Sequence, residues 1–203
     1  MSISSGYADL TQFKLRASLP AGGAHDDDAE RAVEAASRAV DEWCCRRFYA
    51  DTVATARYYT ASEVETVSLP VDDISTTTLL VVRTDDNWDG TFENLWTLNS
   101  RTGPYGFMVE PTNFSALAKP VTRLHAVASS WPTVEQGVEV TAKWGWAAVP
   151  TPVVEACLML AVRWFKRKDT PFGVMGSAET GLITLPRIDP DVQSLLAPYR
   201  RMA

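Results

Sequence analysis

The stretch Asp85–Glu93, "DDNWDGTFE", holds residues that could do chemistry. Asp85, Asn87, Asp89 and Gly90 match the opening of a calcium loop, in which side-chain oxygens wrap a hard cation. The twelfth position, where a bidentate Glu closes such a loop, is Trp96, and the flanks read as strands. Asp89-Gly90 between two strand-like runs is itself a hairpin signal. The turn reading is preferred, with Asp85, Asn87 and Asp89 kept as candidate metal ligands.

Other reactive side chains form no constellation. His25 falls in a Gly/Asp-rich turn and His125 beside Leu124 in a strand, so structural roles are expected for both. Cys44 and Cys45 are helix neighbours that point apart, and Cys157 lies on an apolar face. Three cysteines without framework spacing point to a reducing compartment. The acidic groups Asp26–Asp28, Asp72-Asp73 and Asp85-Asp86 sit in turns or caps, where short carboxylates bond to nearby backbone N–H groups. Glycine patterns that cradle phosphates are absent. The residues therefore indicate no enzyme and no cofactor. "FKRKD" (Phe165–Asp169) is the one tight basic cluster: a solvated helix end, or a contact to an acidic neighbour or to DNA.

The elements follow from periodicity. "YADLTQFKLRASLP" predicts a short helix with an Asp9/Gln12 capping box. The next predicted helix has a capping box at Asp27/Glu30. Its apolar stripe is Ala29, Ala32, Val33, Ala36, Val40, Trp43, Cys44 and Phe48. Between about Thr52 and Trp146 seven strand-like runs alternate with turns: "TVATARYYT", "VETVSL", "TLLVVRT", "TFENLWTL", "YGFMVE", "VTRLHAVAS" and "VEVTAKW". A third helix is expected from an N-cap at Thr151 to about Lys168, and "FGVMGSAETGLITLPRI" holds one possible strand. A last helix is capped by Asp189-Pro190-Asp191, with Val192, Leu195, Leu196 and Tyr199 on one face. The fold class expected is α+β: a helical bundle built from both chain ends (1–50 and 150–203), with an inserted antiparallel β-sandwich or barrel (51–149).

Bulk numbers bound the function. Residues 1–150 hold 12 Lys+Arg against 20 Asp+Glu, and residues 151–203 hold 7 against 5. An acidic chain does not announce a nucleic-acid grip, which needs clustered cations. The start, "MSISSGYADL", has no signal-peptide pattern, and no uncharged apolar run nears the roughly 20 residues of a membrane span. Synthesis in a cytoplasm is expected. Val153–Phe165 nevertheless carries only two charges among its residues and is apolar on every face. Such a helix must be surrounded; other copies of the chain or a larger assembly are the economical cover expected, with the first two helices as the alternative.

In this order of elements the chain resembles the head-to-tail connector (adaptor) proteins of tailed phages, most closely those of actinobacteriophages. The resemblance is carried by "VDEWCCRRFY", "VEVTAKWGWAAVP", "RWFKRKDTPFG" and "DPDVQSLLAPYRR", and covers nearly the whole chain. It implies a structural virion protein without cofactor, forming a ring of twelve copies at the head–tail junction. The ring would lie beneath the portal protein, bind downstream neck and tail proteins, and pass double-stranded DNA without sequence-specific binding. The subunit and portal contacts it suggests are Trp43, Arg47, Trp164, Lys166, Arg167, Lys168, Phe172, Tyr199, Arg200 and Arg201. An alternative reading is a monomeric β-sandwich binding a ligand such as carbohydrate on a platform of Trp88, Trp96 and Trp131. A hydrolase whose site escapes the sequence is the third.

Overall fold

A computed structural model describes residues 5–23, 25–167 and 189–201, and the backbone at 174–175 and 183–184. The fold is α+β, and the chain divides into two compact units. One comprises Met1–Arg46 with Val149–Ala203, and the other Arg47–Ala148.

The first unit is helical. Helix α1 (Leu10–Ala17) starts in the expected capping box: the Asp9 carboxylate accepts from Gln12 N at 2.7 Å, and Gln12 Oε1 accepts from Asp9 N at 3.0 Å. Asp9→Ala should cost about 1 kcal/mol in urea unfolding. A change below about 0.3 kcal/mol would show that packing of Phe13 and Ala17, both buried, holds α1 without its cap.

Helix α2 (Asp26–Cys44) corrects the expected Asp27/Glu30 box. His25 occupies the N-cap and its side chain makes no capping bond, while Asp26, Asp27 and Asp28 all lie within the first turn. Three successive carboxylates satisfy the positive helix end in any of several registers, so their presence does not fix the first residue. Ala29, Val33, Ala36, Val40 and Cys44 are buried.

Helix α3 (Thr151–Arg167) packs against α1 and α2. Thr151 is its first residue rather than its cap, and the Pro150 carbonyl accepts from Val153 N and Val154 N. Helix α4 (Pro190–Leu196) is capped as read, with the Asp189 carboxylate accepting from Asp191 N at 3.0 Å. Arg163 ties α3 to α4 through Asp189 at 3.7 Å. A 3₁₀ turn, Ala197–Tyr199, follows, and Arg201 N donates to Cys44 O at 2.9 Å.

The second unit contains β1 (Thr55–Tyr59), β2 (Ser68–Thr84), β3 (Asn94–Leu98), β4 (Gly106–Glu110), β5 (Val121–Val127) and β6 (Val138–Trp144). Sheet order is β1-β6-β2-β3-β4-β5, and a β2–β5 pairing closes β2 to β5 into a four-stranded barrel. Closure leaves β2 to β5 without an open edge, while β1, paired with β6, is the outer strand of the sheet. "VETVSL" and "TLLVVRT" were expected as separate strands; the long β2 takes in the second run and only Ser68 and Leu69 of the first, Val64–Val67 lying in the turn before it. The β2 register shifts between Ile74 and Val81, so its first part pairs with β5 and its last with β3. Among the described residues one pair, β3–β4, is parallel. Strand β6 alternates as read: Val138, Val140, Ala142 and Trp144 are buried, and the residues between them are half-exposed. The barrel core includes Leu69, Ile74, Trp96, Phe107, Leu124 and Trp131. Past α3, Val174–Met175 (β7) and Ile183–Thr184 (β8) pair antiparallel, where one strand was expected.

Candidate interaction surface

The apolar helix α3 spends most of its circumference inside its own unit. Val153, Ala156, Cys157, Leu158, Ala161 and Phe165 are buried, with Phe13 of α1 set edge-on to Phe165 at 5.4 Å. Val154, Met159, Leu160, Val162 and Trp164 remain half-buried. Part of this remainder faces an apolar groove of about 150 Å³. Ala39 and Trp43 of α2, Leu160 and Trp164 of α3, and Val192 and Leu196 of α4 line it.

The suggested contact residues fall into three groups. Trp43 and Trp164 share that groove, and the Arg200 guanidinium lies over the Trp43 ring at 5.3 Å. Arg201 is anchored beside them through Cys44, and Tyr199 is half-buried in the preceding turn. Lys166 and Arg167 stand exposed at the end of α3. Arg47 belongs to the other unit, where it pairs with Asp51 at 3.1 Å and donates to Tyr49 Oη at 3.1 Å. Lys168 and Phe172 lie outside the described residues.

The Asp85 loop is a turn whose carboxylates are engaged with its own backbone. Asp85 is buried and accepts from Trp88 N at 2.7 Å and Gly90 N at 2.8 Å, one on each oxygen. Asp89 accepts from Thr91 N at 2.8 Å, and Asn87 Nδ2 donates to Asp89 at 3.1 Å. Gly90 supplies the positive φ of 84° that the turn requires. Glu93 joins Asp85 and Asp89: one carboxylate oxygen from each of these three lies within 4.8 Å of the others. Trp96, at the position where a calcium loop carries its closing Glu, is buried in the barrel.

The remaining reactive groups are structural. Cys157 Sγ sits 3.3 Å from Ser37 Oγ in the α2–α3 interface, and burial pushes its thiol up to about 11. Burial raises Cys44 likewise to about 11, while Cys45 caps the end of α2 and is exposed. His25 packs edge-on to Phe165 at 6.2 Å. His125 stands in the barrel wall between Ser68 and Met108.

Two of the three tryptophans of the alternative platform are interior. Trp96 and Trp131 stack at 4.0 Å within the core, and Trp96 Nε1 donates to Thr84 Oγ1 at 3.0 Å. Trp88 is exposed. The sequence reading missed its actual companions, Tyr58, Phe92 and Glu135, which share a pocket with it. Tyr58 comes from β1 and Glu135 from the turn before β6; the β2–β6 pairing sets Glu135 beside the Asp85 loop, and the β1–β6 pairing adds Tyr58.

Neither a protein-family model nor a curated protein matches the chain. Solved structures do. A chain in the neck of an empty gene transfer agent (GTA) particle, computed with C6 symmetry, superposes with a TM-score of 0.55 at 16% identity. A chain in the neck of the native GTA particle, computed with C12 symmetry, gives 0.56 at 17%, and one in the native GTA virion gives 0.55 at 19%. Each match covers 100% of this chain and 93–94% of the other. The chain shares its fold with chains of these particles. The shared architecture includes both units, because the alignment runs through the whole chain.

Proposed function

We propose that the chain is a structural neck protein: a head-to-tail adaptor, of the kind in actinobacteriophages, that assembles into a ring beneath the portal. The observation that carries this reading is the end-to-end fold likeness to chains from symmetric particle necks. The C12 symmetry of one of those necks supports twelve copies. In this reading the helical domain of 1–50 and 150–203 packs against neighbouring copies in the ring, and 51–149 is its inserted β domain. Trp43, Trp164, Tyr199, Arg200 and Arg201 contact neighbouring copies or the portal, and the half-buried strip of α3 is covered by assembly. Burying such apolar surface is worth roughly 25 cal/mol per Å². The ring continues the channel toward the tail. Its net charge of −6 suits a wall past which DNA slides, since cationic walls would hold phosphate by counterion release. The protein is made in the bacterial host cytoplasm and ends in the virion.

Deleting the gene should leave DNA-filled heads that cannot join tails, counted by electron microscopy of lysates. Tailed infectious particles at wild-type yield from the deletion would overturn the proposal. A density map of the neck, fitted with this chain, would test the ring directly.

A further inference from the structure

Beside the Asp85 turn the β unit carries an open pocket of about 460 Å³. Tyr58 and Phe92 form one wall, their ring centroids 5.6 Å apart. Trp88 forms another, 71% exposed and held out from the turn by its own positive φ of 61°. Glu135 is exposed on the rim, and Glu93 is exposed in the acidic group next to Asp85. A hydrogen bond from Thr91 N holds the Asp89 carboxyl of that group below the usual carboxylate range, so it is charged at neutral pH. Aromatic faces present negative quadrupole density, and two carboxylates, Asp85 and Glu135, line the pocket with them, with Asp89 and Glu93 next to Asp85. That combination suits a cation with an apolar or planar body, a guanidinium above all. A neutral sugar would stack on the rings but leave the carboxylates without a counter-charge.

The same chain carries the complementary surface. Residues 47–148 hold 7 Lys+Arg against 12 Asp+Glu. Helix α3, in the other unit, ends in the exposed Lys166 and Arg167.

We propose that this acidic aromatic pocket receives Lys166 and Arg167 of a second copy of the chain. The proposal rests on the neck-ring reading and adds a contact that joins one subunit to the next. Two unlike surfaces meeting between identical copies make a heterologous contact, which repeats head to tail and closes into a ring when the rotation allows. Charge at such a contact sets partner choice and register.

The test uses two double variants of the full chain. Glu93→Lys with Glu135→Lys makes both surfaces basic; Lys166→Glu with Arg167→Glu makes both acidic. All four side chains are exposed, so each variant should melt within a few degrees of wild type. Each alone should lose tailed-particle yield, and ring mass in native mass spectrometry, by on the order of tenfold or more. The two expressed together should recover, in rings of alternating copies with equal numbers of each mass. Wild-type assembly by either variant alone, or no recovery in the mixture, overturns the contact while leaving the neck reading intact. Loss with the pocket variant but not with the α3 variant assigns the pocket to a basic segment of another protein and equally overturns it. If the gene proves dispensable for tail joining, the neck reading fails separately, and heterotypic association of the two variants in solution still decides the contact.

Discussion

Gly145→Ala should unfold the β unit. Gly145 lies in the "WGW" that ends β6, with a φ of +103°, and a Cβ there would stand 1.9 Å from the Tyr49 carbonyl oxygen. Neither atom can retreat cheaply. Gly145 N donates to Asp73 O at 2.7 Å, and Asp51 N donates to Trp144 O at 2.7 Å, so both strands of this crossing are pinned. The flanking indoles are fixed as well: Trp144 Nε1 donates to Thr55 O, and Trp146 Nε1 to Asp73 Oδ2, each at 2.9 Å. Phe48 packs on Trp146 at 5.3 Å. A side chain at such a φ strains the backbone by roughly 1–3 kcal/mol before any clash, and displacing a pinned strand adds to that. The expected cost is above about 4 kcal/mol, a large share of the stability of a domain this size. Gly90→Ala is the control. Its φ is +84°, but no atom lies within 4 Å of the added carbon, so it should cost only about 1–2 kcal/mol. Urea unfolding of both variants checks the pair. A Gly145→Ala protein as stable as Gly90→Ala would mean that the crossing yields, and that "WGW" is not the clamp described.

The residues behind that clamp show what the sequence made legible. The alternation of β6 announced a half-buried strand, and the Asp9/Gln12 and Asp189 caps announced their helices, because each signal is local: a periodicity of two, or a carboxylate within reach of its own backbone. What was not legible depends on partners far along the chain. The β2 run reads as two strands because Pro70, Asp72 and Asp73 interrupt its apolar pattern between Leu69 and Thr78. In the fold the two parts are one strand that changes partner, from β5 to β3. The segment between β3 and β4, with Gly103 at positive φ, resembles a hairpin turn, yet the strands run parallel. The candidate contacts divide the same way. Sequence placed Trp43 and Trp164 on helix faces, but only the packing of α4 makes them walls of one groove. The acidic loop was visible as a run of Asp. Its aromatic neighbours were not, since Tyr58 lies 27 positions earlier and reaches the loop through β6.

The largest side-chain effect is expected at Trp131, and it bears on what the β unit is for. Trp131 is 1% exposed, stacks on Trp96 at 4.0 Å and meets Phe107 at 6.2 Å. Its backbone N donates to Thr66 O at 2.8 Å, which fixes the segment between β5 and β6 against the approach to β2. Trp131→Ala removes an indole from the centre of the barrel and leaves a cavity that a closed set of strands cannot collapse into. The expected cost is about 3–5 kcal/mol. Trp88→Ala, by contrast, removes a ring that is 71% exposed and should change stability by no more than about 0.5 kcal/mol. The two residues were grouped as one sugar platform on the strength of their type, and their burial separates them. Thermal unfolding of the two variants measures the difference. Under the subunit-contact proposal the order reverses in assembly: Trp88→Ala keeps its fold but weakens ring formation, because an exposed aromatic in a charged pocket is surface that a neighbour must cover. A Trp131→Ala chain that folded like wild type and lost only ligand binding would restore the platform reading. A Trp88→Ala chain that both folded and assembled normally would remove the pocket's aromatic wall from the contact.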